Sequence, residues 1–255
     1  MLSETFLHAR GIGPATECRI WGRGVLSWRD FLSDPNRAGL SPRMTERLAC
    51  TLTESHDHLT AANHGFFSSR LPRPEHWRAF PEFAHRIAYL DIETTGLEEA
   101  AEITMIGVYD GRRVRTYIKG EDLQEFEADC QQYSMFVTFF GSCFDLPFLR
   151  RRFPSLAFDQ LHADLCWGLR RLGLTGGLKH IEAALDIPRS PETQGLDGWD
   201  AVRLWREWEA GSREALALLK RYNEEDVRNL ETLMQHAYRE LRARLVATRS
   251  EAAAR

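Results

Sequence analysis

Cysteine is scarce in this sequence of 255 residues, and its five cysteines are scattered along the chain. They form no Cys-x-x-Cys pair, which argues against a disulfide framework and against zinc or iron–sulfur sites built on thiolates. No apolar run approaches the roughly 18 residues of a membrane-spanning helix. The first residues also lack the basic start and apolar stretch of a secretion signal. These absences predict a cytoplasmic protein that does not contact a membrane.

Lysine is scarce as well, since the chain has three Lys against 30 Arg. The net charge of −4 by itself disfavours a polyanionic partner such as nucleic acid. This charge is unevenly distributed. Residues 1–80 carry 10 Arg against 8 Asp and Glu, whereas residues 81–255 carry 23 basic and 29 acidic residues. The acidity therefore belongs to the second part of the chain.

The character of the sequence changes near residue 84. The sequence of residues 1–67 predicts short helices. Residues 68–83 contain three prolines, which is typical of a connector. From residue 84 onward, β-prone runs come first and helices follow. We therefore expect a small all-α module at 1–67, a connector at 68–83 and a larger α/β domain at 84–255.

Short turns such as Asp110-Gly111 separate the β-prone runs of the second part. The predicted strands are 86–93, 103–109, 113–118, 135–140 and a short one at 157–161. The predicted helices are 146–153, 178–185, 200–210 and a long one at 213–244. This order of elements predicts an α/β fold in which helices flank a mixed β-sheet.

Two carboxylates stand at the end of the first predicted strand. Asp91 and Glu93 are two residues apart, so their side chains project from the same face. Neighbouring anions raise each other's pKa unless a cation neutralises them, and a hard divalent cation with oxygen ligands does so well. Taken alone, the pair is better explained as a solvated strand end. The apolar residues around it instead favour a central strand and a metal site.

Two further acidic positions follow the predicted fourth strand. Asp145 stands just before Pro147, at the expected first turn of a helix, where an acid also favours the helix dipole. Tyr222 and Asp226 are four residues apart on the long helix and share a face. Each feature alone also fits a structural role, a helix cap for Asp145 and a surface hydrogen-bonding pair for the other two.

Together, these three elements resemble the DEDD superfamily of 3′–5′ exonucleases, whose fold is ribonuclease-H-like. The resemblance covers about residues 84–240. The four acids of that superfamily would be Asp91, Glu93, Asp145 and Asp226. Tyr222 stands four residues before the last acid, so the sequence resembles the tyrosine subclass. The histidine subclass instead has a His five residues before that acid. Segments 176–185 and 195–204 resemble the YprB-like family of predicted exonucleases, whereas Gly141 stands where many superfamily members carry Asn.

The resemblance implies catalysis with two divalent ions, Mg²⁺ or Mn²⁺. Asp91 would bridge the ions, and Glu93 and Asp226 would hold the one beside the nucleophile. Asp145 would hold the other, and Tyr222 would orient the attacking water. The expected reaction is hydrolysis of single-stranded DNA or RNA from its 3′ end, with release of nucleoside 5′-monophosphates.

Six further residues are candidates for substrate contact, namely Thr94, Thr95, Gly96, Leu97, Asp164 and Lys179. The Thr-Thr-Gly turn brings backbone close to the carboxylates. Leu97 either wedges against a terminal base or belongs to the core. Asp164 either supports the site or shapes a turn, and Lys179 either touches a phosphate or lies in solvent.

The N-terminal part contains one turn of interest, Gly11-Ile12-Gly13, which leads into a helix with Pro14 near its start. The segment resembles a single helix-hairpin-helix element. Backbone N–H groups of such a turn can bind a DNA phosphate without reading its sequence. The alternative is a small helical module that only packs against the catalytic domain.

The leading hypothesis is therefore a metal-dependent exonuclease. A ribonuclease-H-like endonuclease and a non-catalytic nucleic-acid-binding module are the alternatives. The presence of all four acids favours catalysis, and the Tyr222-to-Asp226 spacing favours the exonuclease. Two bound divalent ions would set the field near the scissile phosphate, so the acidity of the second part becomes a reason to expect metal. The sequence specifies no protein partner.

Overall fold

The computed structural model describes residues 1–98 and 100–253 of the chain. It divides into two compact units. The first comprises residues 1–85, 159–163 and the chain from Tyr238 onward, and the second comprises residues 86–158 and 164–237. The predicted domain limits stay a prediction, but the predicted connector lies within the first unit.

Helices form most of the first unit, as expected. The α-helices before residue 86 are α1 (Pro14–Gly22), α2 (Trp28–Ser33), α3 (Pro42–Thr60), α4 (His64–Ser68) and α5 (Phe80–Phe83). Short 3₁₀ helices lie at Leu2–Glu4, Pro35–Ala38, Arg73–Ala79 and Ala84–Arg86.

Residues 68–83 are folded, although their prolines suggested a connector. Pro74 and Pro81 each stand near the start of a helix, where the missing N–H removes no intrahelical hydrogen bond. Trp77 and Phe83 are buried. These prolines therefore mark helix starts.

A buried carboxylate ties this segment to the N-terminus. Glu17 of α1 accepts hydrogen bonds from Thr5 Oγ1 at 2.6 Å and from the backbone N–H of Phe6 at 2.7 Å. Arg78 Nη1 donates to the other oxygen of Glu17 at 2.9 Å. Both charged side chains are buried, and each compensates the charge of the other.

A five-stranded mixed sheet has the order β3-β2-β1-β4-β5. Its strands are β1 (Ile87–Thr94), β2 (Ile103–Tyr109), β3 (Val114–Ile118), β4 (Met135–Thr138) and β5 (Leu161–Asp164). β2 pairs with β1 and β3 in antiparallel fashion, and β4 runs parallel to β1. The predicted mixed sheet is therefore confirmed, with β1 at its centre.

The helices of the second part are α6 (Phe126–Asp129), α7 (Asp145–Arg152), α8 (Leu165–Arg170), α9 (Leu178–Ala184), α10 (Gly198–Glu209) and α11 (Arg213–Ala253), with 3₁₀ helices at Leu123–Glu125 and Cys130–Gln132. Four of them, α7, α9, α10 and α11, correspond to predicted ones, whereas the short helices α6 and α8 were not predicted. The last helix is longer than predicted, and β5 begins where the predicted strand 157–161 was expected to end. β4 ends two residues before Phe140, because Phe140 adopts a left-handed backbone with φ of 63° and turns the chain.

Two apolar clusters hold the second unit. In one, β1 and β2 residues such as Leu90 and Ile106 pack with Leu149 of α7. In the other, Met105 of β2 packs with Trp205 of α10 and Leu219 of α11. Since Met105 and Ile106 are adjacent in one strand, their side chains point to opposite faces, so both faces of the sheet are covered. Among the described residues, we find no helix with the length and apolar character needed to cross a bilayer.

Candidate metal centre

Three of the predicted acids meet in space. One carboxylate oxygen from each of Asp91, Glu93 and Asp226 lies within 4.8 Å of the others. The first two project from β1, and Asp226 reaches them from α11. Glu93 and Asp226 are buried, and Asp91 is partly exposed. The i, i+2 spacing on the strand therefore places both carboxylates on one face of β1, where Asp226 of α11 meets them.

Asp145 lies beside this group, at the start of α7. Its Oδ1 accepts a hydrogen bond from the backbone N–H of Ile92 at 3.1 Å, and its side chain is buried. The pairing of β1 with β4 ends at Tyr89 and Val137, so the carboxylate of Asp145 takes over a backbone donor beyond the end of that ladder. Asp145 thus adjoins the strand between the two acids of β1 but is outside the group of three.

Asn223 is a functional candidate that the sequence reasoning missed. Its Nδ2 donates to Asp91 Oδ2 at 3.0 Å and lies 3.4 Å from Glu93 Oε1. The side chain is fully buried, and within the described residues its Oδ1 has no hydrogen-bond partner. A position three residues before Asp226 on the same helix shares its face, and that spacing could have identified Asn223.

Gly107 makes room for this asparagine. It lies directly opposite Asp91 in the β1–β2 register. A Cβ added at Gly107 would lie 1.8 Å from Asn223 Oδ1, far below any permitted contact. Glycine at position 107 is therefore required for the side-chain amide of Asn223 to reach the two acids of β1.

Two cations offset part of the negative charge. Arg189 donates to Glu182 Oε2 at 2.6 Å and Oε1 at 2.7 Å, and also forms a hydrogen-bonded ion pair with Asp226. Lys179 Nζ lies 3.8 Å from Asp226 Oδ1. Arg189 and Glu182 are both largely buried. Glu182 lies in the segment 176–185 that resembles the YprB-like family, but no spacing along the chain predicted that it would pair with Arg189.

Tyr222 is buried beside these groups. Lys179 Nζ donates to Tyr222 Oη at 2.5 Å and lies 4.3 Å from the centre of its ring. Burial raises the pKa of Tyr222 well above its ordinary value, and the negative charges of Asp226, Glu93 and Asp91 raise it further. The phenol therefore keeps its proton at neutral pH and can donate a hydrogen bond.

The surroundings of the four acids disfavour their ionised forms. Burial raises the pKa of Glu93 to about 8, with a further contribution from the charge of Asp226. Burial likewise raises the pKa of Asp145 to about 7 and that of Asp91 well above its ordinary value. The pKa of Asp226 is also raised by burial, even though Lys179 and Arg189 act against this.

The donor set fits a hard divalent cation. It consists of closely spaced carboxylate oxygens, which Mg²⁺, Mn²⁺ and Ca²⁺ prefer. Burial and the neighbouring acids raise the pKa values of Asp91 and Glu93, although Lys179 acts in the opposite direction. A bound cation would supply the positive charge that favours the ionised carboxylates.

The turn after β1 is closed by its own hydrogen bonds. Thr94 Oγ1 donates to the carbonyl of Gly96 at 2.6 Å. The backbone N–H of Thr95 donates to the carbonyl of Glu102 at 2.9 Å. In return, the backbone N–H of Glu102 donates to Thr95 Oγ1. Leu97 is 66% exposed, so the alternative that it belongs to the core is wrong. Substrate contact by these residues stays a prediction.

Asp164 shapes a turn, which was one of its two predicted roles. Its carboxylate accepts hydrogen bonds from the backbone N–H groups of Phe140 and Ser142, both at 2.9 Å, and from that of Cys166 at 3.1 Å. It therefore caps α8 and orders the turn that leads to Asp145. Substrate contact by Asp164 stays a prediction.

Steric contact explains why glycine occupies position 141 in the same turn. A Cβ there would lie 2.2 Å from Thr138 Oγ1. The asparagine found at this position in many members of the resembled superfamily would therefore not fit this turn.

The N-terminal turn lies in the first unit. Gly11 has a left-handed backbone with φ of 89°, and Gly13 immediately precedes α1. Both glycines are exposed, whereas Ile12 is buried. A pocket of about 530 Å³ adjoins the turn and is lined in part by Arg10 and Arg70. Phosphate binding by this turn stays a prediction.

Comparisons with known proteins address the second part of the chain. No curated protein matched the sequence at a significant level. A model of the RNase H superfamily matches residues 88–238, which is more than half of the chain and includes all the candidate site residues of β1, α7 and α11. The match agrees with the mixed sheet and its flanking helices. This protein belongs to the RNase H superfamily.

Proposed function

We propose that this protein is a metal-dependent 3′–5′ exonuclease that releases nucleoside 5′-monophosphates from single-stranded DNA or RNA. The observation that carries the proposal is the buried group of Asp91, Glu93 and Asp226, with Asp145 hydrogen-bonded to the strand between the first two. Membership in the RNase H superfamily supports a nuclease acting on nucleic acid. The tyrosine four residues before Asp226 favours the exonuclease over an endonuclease.

Two Mg²⁺ or Mn²⁺ ions are the cofactors that these carboxylates would hold. Asp91, Glu93 and Asp226 would bind one ion, and Asp145 would bind the second together with Asp91. When bound, such ions lower the pKa of a coordinated water and stabilise charge on the attacking and leaving oxygens of a phosphodiester.

The protein's own groups would position the reactants. Asn223 holds the carboxylates of Asp91 and Glu93 by hydrogen bonds. Arg189 likewise donates a hydrogen bond to the carboxylate of Asp226. The protonated phenol of Tyr222 would donate a hydrogen bond to the attacking water and so fix its direction of approach.

A digest of end-labelled single-stranded oligonucleotides tests the proposal. With Mg²⁺ or Mn²⁺, we expect stepwise shortening from the 3′ end and mononucleotide products, and a blocked 3′ end should stop the reaction. Internal cuts would instead support the endonuclease. Binding without any cleavage would support the non-catalytic module.

The substitution Tyr222→Phe is expected to lower kcat by about 10- to 100-fold while leaving substrate affinity nearly unchanged, because the lost hydroxyl positions water rather than substrate. Single-turnover kinetics at saturating enzyme measures the effect. Tyr117→Phe is the matched control, since Tyr117 is also a buried phenol and donates to Asp129 Oδ2 at 2.9 Å. Equal loss of activity in the two variants would contradict a positioning role for Tyr222.

Metal should stabilise the protein more strongly as the pH rises. The raised pKa values of Glu93 and Asp145 mean that the folded protein retains protons that the unfolded chain releases between about pH 4.5 and about pH 8. Stability of the metal-free protein therefore falls through this window and levels off above it. A divalent cation competes with those protons, so its stabilising effect should grow over the same window.

Thermal unfolding with and without Mn²⁺ at several pH values measures this stabilisation by metal. At a metal concentration about 100 times Kd, the expected rise in Tm is about 5–10 °C near pH 8 and much smaller near pH 5. Glu93→Gln should lose most of the rise. A rise that is independent of pH, or that persists in Glu93→Gln, would show that the metal binds elsewhere.

A further inference from the structure

We propose that Phe140 and Trp167 form an aromatic platform on which a base of single-stranded nucleic acid stacks. The proposal rests on the proposed function, because it names a binding subsite for that substrate. Both residues carry large aromatic rings and are well exposed, at 43% for Phe140 and 42% for Trp167. Their centroids are 6.2 Å apart, with the ring planes inclined by 45°.

The backbone at Phe140 is strained. Its φ of 63° lies in the left-handed region, which residues with a Cβ rarely adopt. Such a conformation persists where the surroundings hold it, and it is concentrated at functional sites. Here a bulky side chain occupies a position that would favour glycine, although its ring contributes little to the core. A role outside folding explains its presence.

One carboxylate holds both rings in place. Asp164 accepts from the backbone N–H groups of Phe140 and Ser142 and caps the helix that carries Trp167. Ser142 Oγ in turn accepts a hydrogen bond from the indole N–H of Trp167 at 3.1 Å. The platform is therefore ordered before any ligand binds, which lowers the entropic cost of binding.

The platform lies at the same edge of the sheet as the acidic group. Phe140 follows the end of β4, which runs parallel to β1, so the carboxyl ends of the two strands meet at one edge. Five residues after Phe140, Asp145 reaches the backbone of β1. A strand with a base on the platform would therefore pass near the carboxylates.

The chemistry of the platform suits a nucleobase. Every base presents a π face to an aromatic ring, so stacking needs no particular sequence. The guanidinium of Arg170 lies 5.1 Å from the centre of the Trp167 ring. It adds a positive charge beside the rings, which favours a ligand that carries phosphates.

Fluorescence anisotropy with a labelled single-stranded oligonucleotide in EDTA tests the platform without cleavage. Phe140→Leu and Trp167→Leu should each weaken binding by about tenfold, because they keep apolar bulk but remove the π face. Leu32→Ala serves as the control, since Leu32 is an exposed apolar residue outside the platform. An oligonucleotide with abasic sites near its 3′ end should bind wild type about tenfold more weakly and should bind the platform variants with no further loss.

Phe140→Gly separates binding from folding. Glycine tolerates the left-handed backbone, so this variant should unfold about 2–4 °C higher than wild type while binding about tenfold more weakly. Absence of binding by wild type, an equal penalty for abasic ends in wild type and variants, or a parallel loss of stability and affinity in Phe140→Gly would overturn the platform. A protein that stacks bases in EDTA but hydrolyses none with Mg²⁺ or Mn²⁺ would overturn only the proposed exonuclease.

Discussion

Replacement of Asp91 by Asn is expected to lower the rate of nucleic-acid hydrolysis by about 10³-fold or more. Asp91 lies with Glu93 and Asp226 in one group of carboxylates. In the proposed mechanism it would contribute to both metal sites. Loss of a metal-held charge removes several kcal/mol of transition-state stabilisation, and each 1.36 kcal/mol corresponds to about tenfold in rate. The measurement is kcat/KM on an end-labelled single strand with Mg²⁺ and with Mn²⁺.

The same substitution should make the metal-free protein more stable. Burial disfavours the charged form of Asp91, and the neighbouring acids Asp226 and Glu93 raise its pKa further. A neutral amide of the same shape removes this repulsion, so Tm in EDTA near pH 8 should rise above that of wild type. A loss of activity accompanied by a gain in stability cannot be attributed to unfolding.

Asp129→Asn provides the control for this experiment. Asp129 is an acid of the same unit that pairs with Arg115 and accepts from the phenol of Tyr117. Its substitution should leave the rate of hydrolysis within about twofold of wild type, because surface ion pairs contribute little beyond local stability. Retention of full activity by Asp91→Asn would contradict the proposed metal site.

Gly107→Ala is expected to have the largest effect on folding, with a loss of about 3 kcal/mol in the free energy of unfolding. The added methyl would lie 1.8 Å from Asn223 Oδ1 and 3.2 Å from Val227 Cγ1, so α11 or the amide must move. Activity should fall together with stability, because Asn223 would lose its hydrogen bonds to Asp91 and Glu93. Chemical denaturation and the oligonucleotide digest measure the two effects.

Two comparison variants make this interpretation specific. Gly198→Ala is the control, since apart from its chain neighbours and the backbone of its own helix none of the described residues places an atom within 4 Å of a Cβ at that position. The double variant Gly107→Ala/Asn223→Ala removes the clashing amide and should recover much of the stability but not the activity. A double variant as unstable as Gly107→Ala would show that the amide of Asn223 is not the source of the clash.

Much of the candidate site could be predicted because it depends on local periodicity. Residues two apart on a strand share a face, which placed Asp91 beside Glu93. Residues four apart on a helix also share a face, which placed Tyr222 with Asp226. Such relations hold within one element and need no knowledge of what packs against it.

The same local rules leave the outcome open where packing decides it. The prolines of 68–83 suggested a connector, yet Pro74 and Pro81 lie near helix starts that bury Trp77 and Phe83. Leu97 was a candidate for the core but is largely exposed. In each case the residue type is compatible with two environments, and only the surrounding contacts select one.

By itself, the sequence predicted the order of the strands and of the four longer helices of the second part, the central position of β1 and the elements that carry the four acids, because hydrophobic periodicity and short turns are local properties of the chain. Only the tertiary structure decided that Asn223 reaches the acids over Gly107, that Arg189 joins Glu182 to Asp226, and that Asp164 orders an exposed aromatic pair. These contacts join residues far apart in sequence. Their existence depends on distances of a few ångströms across the fold, which no spacing along the chain encodes.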